Sequence, residues 1–228
     1  MRRTGRKEPV ITIDGPAGAG KSTVARELAR RLGFSLVSTG ALYRALAWAV
    51  KQAGVAPEEG PALSALLDRT TVALAGGRVL VNGRDVTGLI RTPEISEITS
   101  QLTQLRPVRD KMTPLQRGLA AAGSVVLEGR DTGSVVWPQA EVRFYLDADL
   151  EARARRRQAD LRAQGVEMAL PAVKQDVAAR DRQDMGRALA PLVKPEGAFV
   201  VDSTALTLDE VVEIMLRAVE QVWCCTER

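Results

Sequence analysis

The chain has 228 residues, 45% hydrophobic and 26% charged, with a formal net charge of +4 and no histidine. That length and balance allow a substantial core, built as one domain or a domain with inserts. The missing histidine excludes a Ser-His-Asp triad, a His-bound zinc and a His general base, so any chemistry must run on carboxylates, Lys, Arg, backbone groups and a bound cation.

The N-terminal Arg2-Arg3-Thr4-Gly5-Arg6-Lys7 is basic but lacks the apolar stretch of a signal peptide. No apolar run approaches the ~20 residues that cross a bilayer, so a cytoplasmic location is expected. Val10-Ile11-Thr12-Ile13-Asp14 reads as a short strand rich in β-branched residues. Gly15-Pro16-Ala17-Gly18-Ala19-Gly20-Lys21-Ser22 then fits G-x-x-x-x-G-K-[ST] at every fixed position. From Ser22 to Leu32 the chain reads as an amphipathic helix with Val24, Leu28 and Leu32 at helical spacing. Strand, loop and helix in that order are the context a P-loop requires. Its glycines let backbone N–H groups and the helix N-terminus close on a phosphate. Lys21 is expected to reach the β/γ-phosphates and Ser22 to hold Mg²⁺, with the donor nucleotide cradled along Gly15 to Thr23.

Phe34-Ser35-Leu36-Val37 forms a second apolar segment, and a helix follows from about Ala41 to Ala53. Pro57 to Pro61 breaks the chain. Three short β segments, Val72-Ala73-Leu74-Ala75, Arg78-Val79-Leu80-Val81 and Arg84-Asp85-Val86, are separated by Gly76-Gly77 and Asn82-Gly83, which are strong hairpin signals. They predict a small antiparallel meander inserted among helices, with the insert spanning about residues 61–106. Pro93 and Pro107 each stand where a helix begins. Ser124-Val125-Val126-Leu127 and Val142-Arg143-Phe144-Tyr145-Leu146 are continuous apolar strands, and such runs between helices predict a parallel sheet covered on both faces. A long Arg-rich helical stretch is expected from about Leu150 to Gly186, then a strand at Ala198 to Val201 and a helix from about Leu208 to Trp223. The two cysteines, Cys224 and Cys225, are adjacent and offer neither metal-ligand spacing nor a disulfide framework.

Arginine is concentrated rather than spread. Arg153, Arg156 and Arg157 fall on one helical face, as do Arg180, Asp184 and Arg187. A solvated, ion-paired helix face gives the same spacing. Beside a P-loop, however, phosphoryl transfer demands positive charge around the moving group, and arginine supplies two-pronged bonding to phosphate. A mobile helical lid spanning about residues 150–190 would deliver that charge and exclude water. Glu128-Gly129-Arg130-Asp131 follows directly on an apolar strand, at the carboxyl end where ligands of open α/β sheets bind.

With these residues in view, the sequence resembles the bacterial cytidylate kinases from Ile11 to about Val212. The most specific segments are Ser38-Thr39-Gly40-Ala41-Leu42-Tyr43-Arg44, Glu128 to Val136, and Arg180-Asp181 through Asp184, Arg187 and Pro191-Leu192. The resemblance implies the α/β P-loop fold of nucleoside monophosphate kinases, a parallel-sheet core with helical lid and enlarged monophosphate-binding region. It implies transfer of the γ-phosphoryl group of ATP, with Mg²⁺, to CMP or dCMP. Carried over by position, Ser100, Arg109 and Asp131 match the cytosine-reading residues. Arg180 and Asp184 match a ribose-contacting pair, and Arg44, Arg130 and Arg187 match arginines around the acceptor phosphate. Thr39 and Tyr43 line the same site, and Arg157 belongs to the lid. Lys21, Arg130, Arg157 and Arg187 are thus the expected catalytic residues. Glu128 stands where some members have Asp and Thr39 where many have Ser, whereas Gln183 removes a charge from a lid position that is often Arg. A monomer with no stable nucleic-acid partner and no membrane association is expected. Two alternatives stay open: a kinase for another nucleoside monophosphate, such as UMP or AMP, and a P-loop module that holds RNA. Three Trp, two Tyr and three Phe offer that second alternative little surface for base stacking.

Overall fold

The structure, a computed structural model, describes residues 9–225. The basic Arg2 to Lys7 segment lies outside the described residues, as do the side chains of Cys224 and Cys225. The chain divides into two compact units, one formed by residues up to Leu36 together with those from Ala122 onward, the other by Val37–Ala121.

The first unit is built on a parallel sheet. Strand β1 (Val10–Asp14) pairs in parallel with β6 (Val125–Glu128) on one side and β7 (Val142–Asp147) on the other. In register, Ile11 faces Val126 and Val142, and Ile13 faces Glu128 and Phe144. β8 (Phe199–Asp202) extends the sheet beyond β7, and β2 (Ser35–Ser38) closes the order β2-β6-β1-β7-β8. Every residue of β1 is buried, which is why its sequence reads as a continuous run rather than an alternation. Helix α1 (Lys21–Leu32) packs Val24 and Leu28 into a core with Ile11, Ile13 and Phe144, and α8 (Leu208–Cys225) adds Val212 and Met215. Burying each such side chain contributes about 1.5–3 kcal/mol. Among the described residues no helix is long and apolar enough to cross a membrane.

The expected long Arg-rich helix is two helices, α6 (Leu150–Ala163) and α7 (Leu170–Met185). The break follows from Gly165, whose φ of 77° suits glycine and whose N–H closes on the Arg162 carbonyl at 3.0 Å. The pair buries its own small core of Ala154, Leu161, Val173 and Val177.

The second unit holds α2 (Thr39–Ala53), α3 (Pro61–Arg69), the meander β3 (Val72–Ala75), β4 (Arg78–Val81) and β5 (Arg84–Asp85), then α4 (Pro93–Leu102) and α5 (Arg106–Ala120). Both turn dipeptides of the meander have positive φ at each position, Gly76-Gly77 at 56° and 75° and Asn82-Gly83 at 49° and 80°. That is the conformation that matches the twist of paired antiparallel strands. Helix α3 had no counterpart in the sequence reading. Pro61 stands in its first turn, and Leu63, Leu66 and Leu67 supply its buried face.

Candidate active site

In the first unit the strand order brings β1 and β6 side by side, so their carboxyl ends deliver the Gly15 loop and the Glu128-Gly129-Arg130-Asp131 segment together. Gly15 runs against β7 so closely that a Cβ there would lie 2.0 Å from the Leu146 carbonyl oxygen. Helix α1 begins at Lys21 with no side-chain cap and no acidic residue in its first turn, a terminus suited to an anion. Lys21 is buried and its Nζ donates to the Pro16 carbonyl at 2.6 Å. Burial, and secondarily the Arg130 charge, pull its ammonium down to about 7, against the attraction of Glu128, Asp184 and Asp14. The Ser22 hydroxyl donates to Glu128 Oε1 at 3.0 Å, and Ser22 and Thr23 are both exposed at the start of the helix.

Asp184 is the hub of an arginine cluster. It is wholly buried on α7 and receives three arginines: Arg130 Nε at 2.8 Å, Arg180 Nε at 3.4 Å, and Arg187 Nη2. Burial alone would raise its carboxyl, but Arg130, Arg187 and Arg180 together hold it below the ordinary aspartate value. The expected residues Arg130, Arg180, Asp184 and Arg187 are therefore gathered, although Arg130 lies 54 residues before Asp184. Asp131 is buried at the start of a π-helical turn, Thr132–Val136, in which its carbonyl accepts from Val136 N–H at 3.0 Å. Such turns are rare and recur at functional sites. Gln183 is half-buried on α7.

The arginine face of α6 splits by task. Arg153 is buried, donates through Nη1 to the Ala17 carbonyl at 3.0 Å and pairs with Asp181. Asp181 in turn accepts the Ala17 N–H at 3.0 Å. Arg156 donates to the Ser203 hydroxyl at 2.9 Å and to the Ala19 carbonyl at 3.4 Å. Arg157 is half-buried and makes no side-chain hydrogen bond or ion pair among the described residues.

In the second unit, the Ser38 hydroxyl caps α2 by accepting the Ala41 N–H at 3.2 Å, which fixes Thr39 and Tyr43 as buried and Arg44 as half-buried residues of its first turns. Arg109, buried on α5, donates from Nε to the Thr103 carbonyl at 2.6 Å, and its guanidinium lies 6.0 Å from the centre of the Tyr43 ring. Ser100 is buried on α4, and its carbonyl accepts the Thr103 hydroxyl at 3.1 Å. Ser100, Arg109 and Tyr43 thus belong to one connected cluster, with Thr103 between them.

The family model for cytidylate kinase matches residues 11–221. The chain belongs to the cytidylate kinase family. A protein named cytidylate kinase from Symbiobacterium thermophilum is 47% identical over 93% of this chain and 96% of its own length. A second, from Geobacter sulfurreducens, is 45% identical over 94% of each chain. A solved shikimate kinase from Bacteroides thetaiotaomicron, 11% identical, is similar in fold alone, with a TM-score of 0.50 over 93% of this chain and 98% of that one.

Three residues that link the expected site residues have no signal in local spacing. Asp181 and Arg153 clasp both backbone groups of Ala17 in the donor loop, and Thr103 links Ser100 to Arg109. By sequence, Arg153 is one of an arginine face and Asp181 part of a motif. Nothing in local spacing says that they reach Ala17, 136 and 164 positions away.

Proposed function

We propose that this member of the cytidylate kinase family transfers the γ-phosphoryl group of ATP to the phosphate of CMP or dCMP, giving CDP or dCDP and ADP. The observation that carries the reading is the set of Arg130, Arg180 and Arg187 around buried Asp184, in the unit that also holds the P-loop. A donor-phosphate site thereby stands with a second concentration of positive charge whose field reaches Lys21. A triphosphate-binding module without an acceptor has no use for that second set.

The donor phosphates take the loop N–H groups between Gly15 and Thr23, and Lys21 neutralises charge on the β/γ-phosphates. With Lys21 pulled down to about 7 in the free protein, the fraction present as neutral amine takes up a proton when phosphate charge arrives beside it, completing the ammonium. Ser22 and Glu128 form a hard-oxygen pair at the helix start, which fits Mg²⁺ held by few protein ligands and by substrate phosphates. When bound, the cation would supply charge stabilisation to the donor phosphates. Arg130, Arg187 and Arg44 orient the acceptor phosphate, Arg180 and Asp184 hold the ribose, and Arg157 approaches the transferring group. No strong general base is required, because the acceptor phosphate is already an anion and positioning with electrostatics does the rest.

Base choice follows from edge chemistry. Cytosine presents an N4 amine, which suits the Asp131 carboxylate, and O2 and N3 acceptors, which suit Arg109 and Ser100. Uracil would set a carbonyl against that carboxylate, at a penalty of order 1–3 kcal/mol. All of these residues come from one chain, so a monomer suffices, and an ATP·Mg²⁺ donor agrees with action in the cytoplasm as a step of pyrimidine nucleotide metabolism. Measuring ADP release with ATP·Mg²⁺ against CMP and UMP tests the reading: activity confined to other acceptors overturns it.

A further inference from the structure

We propose that Asp14 is a positioning residue for phosphoryl transfer: its carboxylate fixes the strand end that launches the donor loop against the turn that directly follows Arg130 and Asp131. The proposal rests on the phosphotransfer reading above and adds a residue that makes no contact with substrate.

Asp14 is the last residue of β1, directly before Gly15, and is wholly buried. Its Oδ1 accepts the Thr132 N–H at 2.8 Å and the Thr132 hydroxyl at 2.8 Å, and its Oδ2 accepts the Gly133 N–H at 2.7 Å. Those two amides open the π-helical turn immediately after Arg130 and Asp131. The sheet ladder between β1 and β6 ends just short of this point, with Ile13 opposite Glu128 and the Gly129 N–H on the Ile13 carbonyl at 3.0 Å. Beyond it, the Asp14 side chain takes over from the ladder, on the segment where the acceptor residues stand.

Two further observations indicate that the contact is specific. Gly133 approaches β1 so closely that a Cβ there would lie 2.8 Å from Thr12 Oγ1 and 3.3 Å from Asp14 Oδ2. Burial pushes the Asp14 carboxyl up to about 6 even though all three hydrogen bonds pull it down. An interior carboxylate held against that burial cost offers acceptors on both oxygens, which no apolar residue does and which Asn, with one oxygen, does only in half. In a reaction driven by placing donor and acceptor in line, an error of about 1 Å costs on the order of 100-fold in rate.

The test uses the full chain and steady-state kinetics for both substrates. Asp14→Asn is expected to lower kcat about 100-fold, to leave the KM for ATP nearly unchanged, and to narrow the CMP-over-UMP preference as Asp131 shifts. Thr132→Val, which removes only the hydroxyl donor, is expected to lower kcat about tenfold. Thr132→Ser keeps that donor and should restore the wild-type value. If Asp14→Asn does not fold, the Thr132→Val and Thr132→Ser pair decides alone. Variants that melt earlier but keep wild-type kcat well below their melting temperature overturn the positioning role, leaving a merely structural one. A wild-type chain inactive on CMP overturns the phosphotransfer reading itself, whereas active wild type with unaltered kcat in Asp14→Asn and Thr132→Val overturns only the role of Asp14.

Discussion

Replacing Asp184 by Asn removes one negative charge from among three arginines while keeping the side chain's shape. Asp184 is wholly buried and the Arg187 side chain is 3% exposed, so that guanidinium loses a charge partner where water cannot replace it. Arg130 and Arg180 are 23% and 27% exposed, and solvent screens much of their loss. Removing one partner of a buried pair costs about 3–5 kcal/mol. With one of the three arginines deeply buried, the low end, about 3 kcal/mol, is expected. For a chain of this size that corresponds to a fall in Tm of roughly 6–12 °C. Thermal unfolding followed by circular dichroism measures it, and Asp184→Asn combined with Arg187→Met should recover part of the loss by removing the stranded charge. The acid dependence gives a second readout. Because the folded carboxyl lies below its ordinary 3.8, its stabilisation is complete above that value and is lost as pH falls through the lower folded value. Asp184→Asn should lack this part of the acid transition. A variant that melts within about 2 °C of wild type would refute the reasoning.

Lys21→Ala should lower kcat by at least about 100-fold, as loss of a preorganised charge at the transferring group does, while the chain stays folded in the same circular dichroism assay. Lys21 also sets a pH dependence. Its folded value of about 7 lies below the unfolded 10.5, so the unfolded chain binds more protons between the two and stability rises across that window. Denaturant midpoints of wild type against Lys21→Met at pH 7 and pH 9.5 should show the rise in wild type alone. ATP binding near pH 8 should take up protons, read by calorimetry in buffers of different ionisation enthalpy, and the uptake should vanish in Lys21→Met. Asp131→Ala should erode the CMP-over-UMP preference by about 10- to 100-fold in kcat/KM, and a preference that survives means the base is read elsewhere.

The donor half of the site was legible because it is local. Gly15 to Ser22, with an apolar strand before it and an amphipathic helix after it, carries its own geometry in consecutive residues. The meander was legible for the same reason, since Gly76-Gly77 and Asn82-Gly83 state their turn conformation outright. The spacing of Arg180 and Asp184 announced a shared helical face, but α7 ends at Met185, so Arg187 reaches Asp184 from just beyond the helix rather than from the same face. Spacing could not announce that Arg130 joins them across 54 residues, and only the family resemblance had grouped it there. The π-helical turn at Thr132–Val136 was hidden because its β-branched residues favour extended backbone, and a buried carboxylate from β1 holds its first two amides. Asp14 looks like an ordinary strand-end aspartate and Asp181 like an ordinary helix aspartate until the fold brings each to its partner. The break between α6 and α7 rests on Gly165 and on Pro171 in the first turn of α7, two single-residue signals within an otherwise helix-favouring stretch.

The most direct test of two nucleotide sites in this chain is a coupled assay of ADP formation with ATP·Mg²⁺ against CMP, dCMP, UMP, AMP and GMP. Highest kcat/KM on CMP and dCMP, dependent on the divalent cation and abolished by a chelator, is the predicted result. Preference for AMP, GMP or UMP, or ATP hydrolysis without any monophosphate acceptor, would contradict the account.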